Sequence, residues 1–196
     1  MGQIMIKFHW EYINEDENKW MMPIVFDKGI PMKYTKKPSQ DIIDKIEAMF
    51  KFMKGTRNFI LIVSNRTAYV NSFFYYFGLT WLTTTNKVFD IVDLGLIKED
   101  PKLYTILEHS NLLMVPHVNP DTYTLRDVRD RIGSILIKRQ VRNLPTIIEL
   151  YSRKPPNEIG NKDILTLLQS LSSIYGESCA GTFMDKSSNV KVVKFK

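Results

Sequence analysis

The fold of this chain is decided by Phe59-Ile60-Leu61-Ile62-Val63, an unbroken run of apolar residues. A strand with this pattern has no polar face to turn toward water, so it is buried on both sides of its sheet. Leu112–Val115 and Thr146–Tyr151 are predicted to be buried strands of the same kind. Each of the three follows a segment with helical periodicity, and this alternation predicts an α/β protein with a mainly parallel sheet.

Helices are predicted where apolar residues recur three or four positions apart. Ser39 suits the N-cap of the first one, because its hydroxyl can accept a hydrogen bond from the first helical turn. The predicted helices span residues 41–54, 70–82, 101–110, 122–142 and 164–175, and further short strands are predicted at 88–92 and 190–195.

The composition excludes several classes of protein. Of 196 residues, 44% are apolar and 24% are charged, which is typical of a folded domain and excludes wholesale disorder or a fibrous repeat. A single cysteine, Cys179, excludes an intramolecular disulfide framework and favours a reducing compartment. The N-terminus lacks a signal-peptide pattern, and no stretch is apolar over the roughly 18 residues of a spanning helix. We therefore expect a cytoplasmic protein without a membrane segment.

Residues 1–38 are predicted to form an N-terminal extension of an α/β domain that occupies residues 39–196. Apolar and polar residues alternate loosely over 4–13, and a second strand is predicted at 20–26, so the extension is expected to contain a β-hairpin. Its aromatic residues either cover the domain or form an interface with a partner, and both alternatives stay open at this stage.

The order of the elements from Asp41 onward resembles the AAA+ ATPase core of bacterial helicase loaders of the DnaC/DnaI type. The most specific match is Leu144-Pro145-Thr146-Ile147-Ile148, which follows a helix that ends in basic residues. The resemblance covers residues 40–196, about four-fifths of the chain. It implies a three-layer, P-loop-NTPase-like (AAA+/RecA-like) fold in which Phe59–Val63 lies between the other two buried strands.

The nucleotide chemistry of that family is missing from the sequence. A phosphate-binding loop needs glycines, whose backbone amides wrap the phosphates, together with a lysine and a Ser or Thr hydroxyl. After the first strand the chain runs Ser64-Asn65-Arg66-Thr67-Ala68-Tyr69-Val70-Asn71, without glycine or lysine. Pro116 and His117 stand where the resemblance places acidic residues, and no Asn occupies the sensor position near Glu149–Tyr151. We therefore expect a pseudo-ATPase with no catalytic residue, no metal and no cofactor.

Basic residues are concentrated between positions 122 and 154, where eight of them stand against three acidic residues. At 100° per residue, Arg131, Lys138 and Arg142 fall on one flank of the predicted helix, and Arg139 adjoins them. The functional interpretation is a contact between these four residues and nucleic-acid phosphates. The alternative is a solvated helix face whose cations pair with nearby carboxylates.

An aromatic cluster runs from Phe73 to Trp81, and most of its members are expected to pack in the core. Tyr69 and Tyr76 lie seven residues apart on a flank of the same helix and are candidate partner-binding residues. Tyr69 and Val70 are also expected to close the junction that would otherwise hold a phosphate.

Histidine and cysteine chemistry has little support in the sequence. The three histidines, His9, His109 and His117, have no metal-ligand spacing, and Cys179 has no partner in a CxxC motif. His117 follows a predicted strand and is the one histidine well placed to face a crevice at the end of the sheet.

Three classes of function are compatible with these patterns. The first is a non-catalytic AAA+-like accessory protein that binds a protein partner in replication or recombination; by family analogy the partner is a helicase or an AAA+ ATPase. The second is a structural or assembly subunit, for which self-association is expected, and the third is an α/β enzyme with an unrecognised site. A nucleic-acid partner stays open because the net charge is +6.

Overall fold

The computed structural model describes residues 5–8, 10, 36–53, 59–92, 102–117, 126–184 and 190–195. Most of the predicted N-terminal hairpin lies outside these residues. The helices are α1 (Gln40–Met53), α2 (Thr67–Thr85), α3 (Leu103–His109), α4 (Arg126–Val141), α5 (Asn161–Tyr175) and α6 (Glu177–Met184). The strands are β1 (Phe59–Ser64), β2 (Asp90–Ile91), β3 (Leu113–Val115), β4 (Thr146–Tyr151) and β5 (Val190–Lys194).

The five strands form one parallel sheet in the order β2-β3-β4-β1-β5. The predicted parallel α/β architecture is confirmed. The predicted neighbours are wrong in one respect, because β4 lies between β1 and β3, whereas β1 lies between β4 and β5. Phe59 accordingly pairs with Thr146 on one side and Val190 on the other. An apolar run indicates that both faces of a strand are buried, but it does not identify the strands beside it.

Helices cover both faces of the sheet, which gives the three layers that the sequence predicted. Side chains alternate along β1, so Ile60 and Ile62 pack against α1 and α2. Leu61 and Val63 pack against α3, α4, α5 and α6 on the opposite face. The packing explains the absence of polar residues from the first five positions of β1.

The N-terminal segment covers part of α2 with its aromatic residues. The backbone amide of Lys7 donates to Thr84 Oγ1 at 2.9 Å. Phe8 stacks on Trp10, and the Trp10 ring meets the edge of Tyr76 with centroids 6.5 Å apart. Of the two alternatives for the aromatic residues of the extension, these contacts favour covering the domain.

A glycine allows α4 to lie close to the end of α5. A Cβ atom added at Gly133 would stand 2.0 Å from the carbonyl oxygen of Tyr175, a distance that no side chain tolerates. The buried face of α4 on either side of this contact is formed by Ile132, Ile135 and Leu136. No helix within the described ranges is both long and apolar enough to cross a bilayer.

Candidate functional site

The junction between β1 and α2 consists of only Asn65 and Arg66. The amides of Tyr69 and Val70 donate to the Arg66 carbonyl at 2.9 and 3.1 Å, so the chain enters the helix at once. The Arg66 amide donates to Ser64 Oγ at 2.9 Å, which further occupies the backbone at this point. A glycine-rich loop that wraps phosphates needs a longer excursion than these two residues provide.

A crevice opens at the carboxyl edge of the sheet beside this junction. The chain leaves β1 toward α2 on one face and leaves β4 toward α5 on the other, and such a divergence is where open α/β sheets bind ligands. The cavity there has a volume of about 380 Å³ and is lined by Asn65, Arg66 and residues 155–157. Among the described residues that line this cavity, Arg66 supplies the only charged group, so the cavity offers few groups to bind a ligand.

Glu149 is a buried carboxylate in the centre of the sheet, and sequence reasoning did not identify it as a functional residue. Its exposed fraction is 2%, and its Oε2 accepts the backbone amide of His117 at 2.8 Å. Within the described residues its Oε1 has no hydrogen-bond partner. Burial raises the pKa of Glu149 to about 7, although the His117 amide and the Thr67 side chain favour the ionised form. This group therefore changes its charge near neutral pH.

A second and larger crevice, the Tyr151 crevice, lies where β3 and β4 end against α5. Its volume is about 560 Å³, and its lining includes His117, Tyr151, Arg153, Lys154 and Thr166. The His117 and Tyr151 rings lie 5.2 Å apart and are tilted by 41°. Burial lowers the pKa of His117, so its imidazole is neutral at pH 7. From the sequence, His117 is the one histidine well placed for a crevice, although a plain loop residue is the more favoured interpretation, and the structure puts it in the lining of this crevice.

The predicted nucleic-acid-binding residues on α4 and directly after it have intramolecular partners. Lys138 Nζ and Arg142 Nη1 contact the two carboxylate oxygens of Glu108 at 2.9 and 3.1 Å. Two positive charges therefore share one negative charge, so the group of three side chains has a net charge of +1. The Arg131 guanidinium lies over the Tyr104 ring at 5.3 Å from its centroid. These three cations remain exposed, but they are tethered to α3, which favours the alternative of a paired helix face.

The assignment of Arg139 to nucleic-acid binding is wrong, because the side chain is fully buried. Its guanidinium donates to five acceptors, which are Leu107 O, Glu108 O, Ser110 O, Pro145 O and Thr146 Oγ1, at 2.7–3.3 Å. Three of these acceptors are carbonyl groups at or beyond the end of α3, where a helix has no partners of its own for them. Arg139 is therefore a structural clamp between α3, α4 and β4.

The structure does not support Tyr76 as a partner-binding residue, since only 8% of it is accessible and the Trp10 ring lies beside it. Tyr69 is partly exposed, and its hydroxyl donates to the Asp41 carboxylate on α1. Lys45 lies over the Tyr69 ring at 5.5 Å. Tyr69 thus packs toward α1 and does not close the junction, whereas Val70 is buried in the core.

The single thiol is buried, and the acidic residues that the structure describes form no cluster suited to a metal. Cys179 is 1% exposed, and burial raises the pKa of its thiol to about 12, so it is not a reactive nucleophile. Among the described residues, no group of three or more His, Cys, Asp or Glu side chains is placed to hold a metal ion.

Comparisons with known proteins find a solved structure that has the same fold as this chain. No family model and no curated protein matches the chain. The crystal structure of the DnaC helicase loader matches with a TM-score of 0.58 at 13% identity, over 85% of this chain and 100% of that one. The chain shares the P-loop-NTPase-like fold of that loader. A putative primosome component from Streptococcus pyogenes serotype M3 matches with a TM-score of 0.49 at 10% identity, over 86% of this chain and 90% of that one.

Proposed function

We propose that this protein is a non-catalytic, AAA+-like accessory factor that binds a protein partner in DNA replication. The observation that carries the proposal is the two-residue junction between β1 and α2, in a chain with the fold of a helicase loader. The fold is retained, whereas the position that would hold phosphates is a direct strand-to-helix turn.

Val70 supports the loss of nucleotide hydrolysis at this junction. The resemblance places the phosphate-binding lysine at this position, and the Val70 side chain is fully buried on the core-facing side of α2. A lysine there would point into the core rather than toward a phosphate. The end of β3 gives similar support, because Pro116 and His117 replace the acidic pair and the His117 amide is already bonded to Glu149.

The proposed partner is chosen by analogy with the loader whose structure has the same fold. Because that relative is a helicase loader, we propose a replicative helicase of the native host as the partner. A nucleic-acid contact through Arg131, Lys138 and Arg142 is a secondary proposal, limited by the shared ion pair with Glu108.

The test combines a binding assay with a turnover assay. The purified chain is mixed with the host helicase and analysed by size-exclusion chromatography, and we expect co-elution that does not require ATP. In parallel, hydrolysis of ATP with Mg²⁺ is compared between the wild type and Glu149→Gln, because Glu149 is the buried carboxylate beside the junction. We expect both to give the background rate. Turnover by the wild type that Glu149→Gln abolishes would reject the non-catalytic proposal, and absence of co-elution would reject the helicase as partner.

A further inference from the structure

The β5 strand forms one edge of the sheet. Within the described residues it pairs only with β1, in parallel register from Phe59 opposite Val190 to Val63 opposite Lys194. The strand at the other edge, β2, has two residues, whereas β5 has five, so β5 is the edge that is long enough to accept a further strand. Unpaired backbone groups on such an edge are a template for the addition of another chain.

The direction of the backbone amides in β5 alternates along the strand. The Phe195 amide donates to a β1 carbonyl at 2.9 Å, so it points toward β1. By the same alternation, the amides of Lys191 and Val193 also point toward β1. The amides of Val192 and Lys194 then point away from the sheet, and no backbone group in the described part of the chain accepts them.

Two valines in the middle of β5 offer apolar surface to an added strand. Val193 packs on the core beneath α1 and α2, and Val192 packs on the core of the opposite face. Both side chains are half-buried. Because neighbouring residues on adjacent strands share a face, β-branched side chains of an added strand would cover what is still exposed of both valines.

A lysine stands on either side of the two valines. Lys191 is half-buried on the α1 face, with Nζ 5.1 Å from the centre of the Phe52 ring. Lys194 is exposed on the opposite face and donates to the Ile159 carbonyl. Within the described residues neither lysine forms an ion pair, although the Asp163 charge interacts with Lys194 at longer range. Positive charge at both ends of the edge therefore favours acidic residues on an added strand.

The same lysines disfavour pairing between two copies of β5. Antiparallel pairing centred between Val192 and Val193 would place Lys191 of one copy opposite Lys194 of the other, and like charges directly opposite each other destabilise a sheet. Lysine on an edge strand commonly prevents such self-association. The occupant that fits these charges is therefore a different segment, and an acidic one.

We propose that β5 is a docking edge for an extended acidic segment of a partner protein, which adds to the sheet as a further strand. The segment carries an acidic residue, two β-branched residues and a second acidic residue, which lie opposite positions 191 to 194. This pattern reads the same in both directions, so a parallel and an antiparallel strand both satisfy it. Hydrogen bonds with the backbone of Val192 and Lys194 supply affinity, and the carboxylates supply specificity. The interface needs no nucleotide and is independent of the proposed helicase partner.

The test uses the peptide Thr-Glu-Val-Val-Glu-Thr with blocked termini, and hydrogen exchange of the ¹⁵N-labelled whole chain followed by NMR. In the free protein we expect the amides of Val192 and Lys194 to exchange much faster than that of Val193. Peptide at ten times its Kd should slow exchange at Val192 and Lys194 about tenfold, because only the free fraction exchanges at the original rate. Exchange at Val193, whose amide points toward β1, should change little.

Charge and backbone variants separate strand addition from nonspecific attraction. The peptide Thr-Lys-Val-Val-Lys-Thr should not bind, and Lys191→Gln/Lys194→Gln should weaken binding of the Glu peptide about fivefold. Val192→Pro removes an outward N–H group and should abolish peptide binding while the circular dichroism stays native, since an edge strand tolerates proline at such a position. The control Lys138→Gln/Arg142→Gln should bind the Glu peptide like the wild type.

Four results would each overturn the proposal. The first is a free protein in which the amides of Val192 and Lys194 are as protected as that of Val193, since the edge is then already occupied by the chain itself. The second is the absence of protection at millimolar Glu peptide, the third is equal binding of the Glu and Lys peptides, and the fourth is binding that survives Val192→Pro. The first three measurements use the wild-type protein, so the proposal stays testable even if Val192→Pro fails to fold. Absence of co-elution with the helicase would reject the proposed partner and leave these measurements unaffected.

Discussion

Replacing Arg139 by methionine tests whether this buried guanidinium holds α3, α4 and β4 together. Methionine has a similar reach and a flexible apolar side chain, so the change removes donors and charge with little loss of volume. The five acceptors now contacted by the guanidinium are buried or partly buried in the folded protein and would lose their donors. Burial lowers the pKa of Arg139 to about 10, so the side chain is still cationic at pH 7.

The magnitude follows from the contacts. Two of the carbonyl oxygens, Ser110 O and Pro145 O, accept at 2.8 and 2.7 Å and make short, charge-assisted hydrogen bonds. Removing one partner of a buried charged cluster costs about 3–5 kcal/mol, because the groups left behind stay desolvated without compensation. Asp90 adds to the loss, since its partly buried carboxyl interacts with the Arg139 charge. A domain of this kind has a total unfolding free energy of about 5–15 kcal/mol, so the change removes a large part of it.

The assay is urea unfolding at pH 7, followed by circular dichroism. Lys138→Met is the matched control, because it removes the neighbouring cation from an exposed ion pair that contributes about 0.2–1 kcal/mol. Arg139→Lys keeps the charge but offers fewer donors, and its stability should lie between that of the wild type and Arg139→Met. An unfolding free energy of Arg139→Met within about 1 kcal/mol of the wild type would refute the clamp.

Three other changes probe separate contacts. Gly133→Ala should lower the unfolding free energy by about 1–3 kcal/mol in a urea titration, because the added Cβ meets the Tyr175 carbonyl. The pKa of Glu149 is about 7 in the folded protein and 4.5 as its ordinary value. As pH rises between these values, the unfolded chain loses its proton first, so the free energy of unfolding falls. Relative to Glu149→Gln, the wild type should therefore lose about 3 kcal/mol from pH 4 to pH 8 in unfolding experiments. Thr84→Val should speed hydrogen exchange at the Lys7 amide and cost about 1 kcal/mol, since that amide loses its acceptor.

A control for each of these three predictions shows which result would contradict it. Gly181→Ala places a Cβ in open space on α6 and should stabilise slightly, so equal losses at Gly133 and Gly181 would contradict the steric argument. Thr85→Val removes a hydroxyl that donates to the Trp81 carbonyl within α2, and Lys7 exchange that responds equally to Thr84→Val and Thr85→Val would rule out the proposed contact. A pH-independent difference between Glu149→Gln and the wild type would mean that Glu149 does not titrate in this range.

The buried strands and the layer order could be predicted because they depend on composition and periodicity alone. The apolar run of β1 requires cover on both faces, and the helical segments beside it supply that cover. The order of the strands could not be predicted in the same way. β1 and β4 are both buried strands, and composition does not say which of them lies next to β3. Exchanging the two in the predicted order changes which loops meet at the carboxyl edge. The separation of the β1–α2 junction from the Tyr151 crevice depends on that order.

The errors at individual residues have a common physical origin, since residue type was given more weight than position. Arg139 follows Ile132, Ile135 and Leu136 by seven, four and three residues, so it lies on the buried face of α4. Helical periodicity therefore contained the signal that Arg139 is a core residue, but its charge suggested a surface contact. Tyr76 follows Phe73 by three residues and is buried in the same way.

Glu149 shows the converse case, in which position makes an ordinary residue chemically distinctive. A carboxylate inside a buried strand costs free energy unless it is paired, so its presence in Ile147-Ile148-Glu149-Leu150 already indicates a special environment. The structure supplies one partner, the His117 amide, and that amide belongs to the residue whose ring lines the Tyr151 crevice. Ionisation of Glu149 strengthens this bond, because a charged acceptor holds an N–H group more tightly than a neutral one. The carboxylate thus anchors the backbone of His117 at one wall of the Tyr151 crevice.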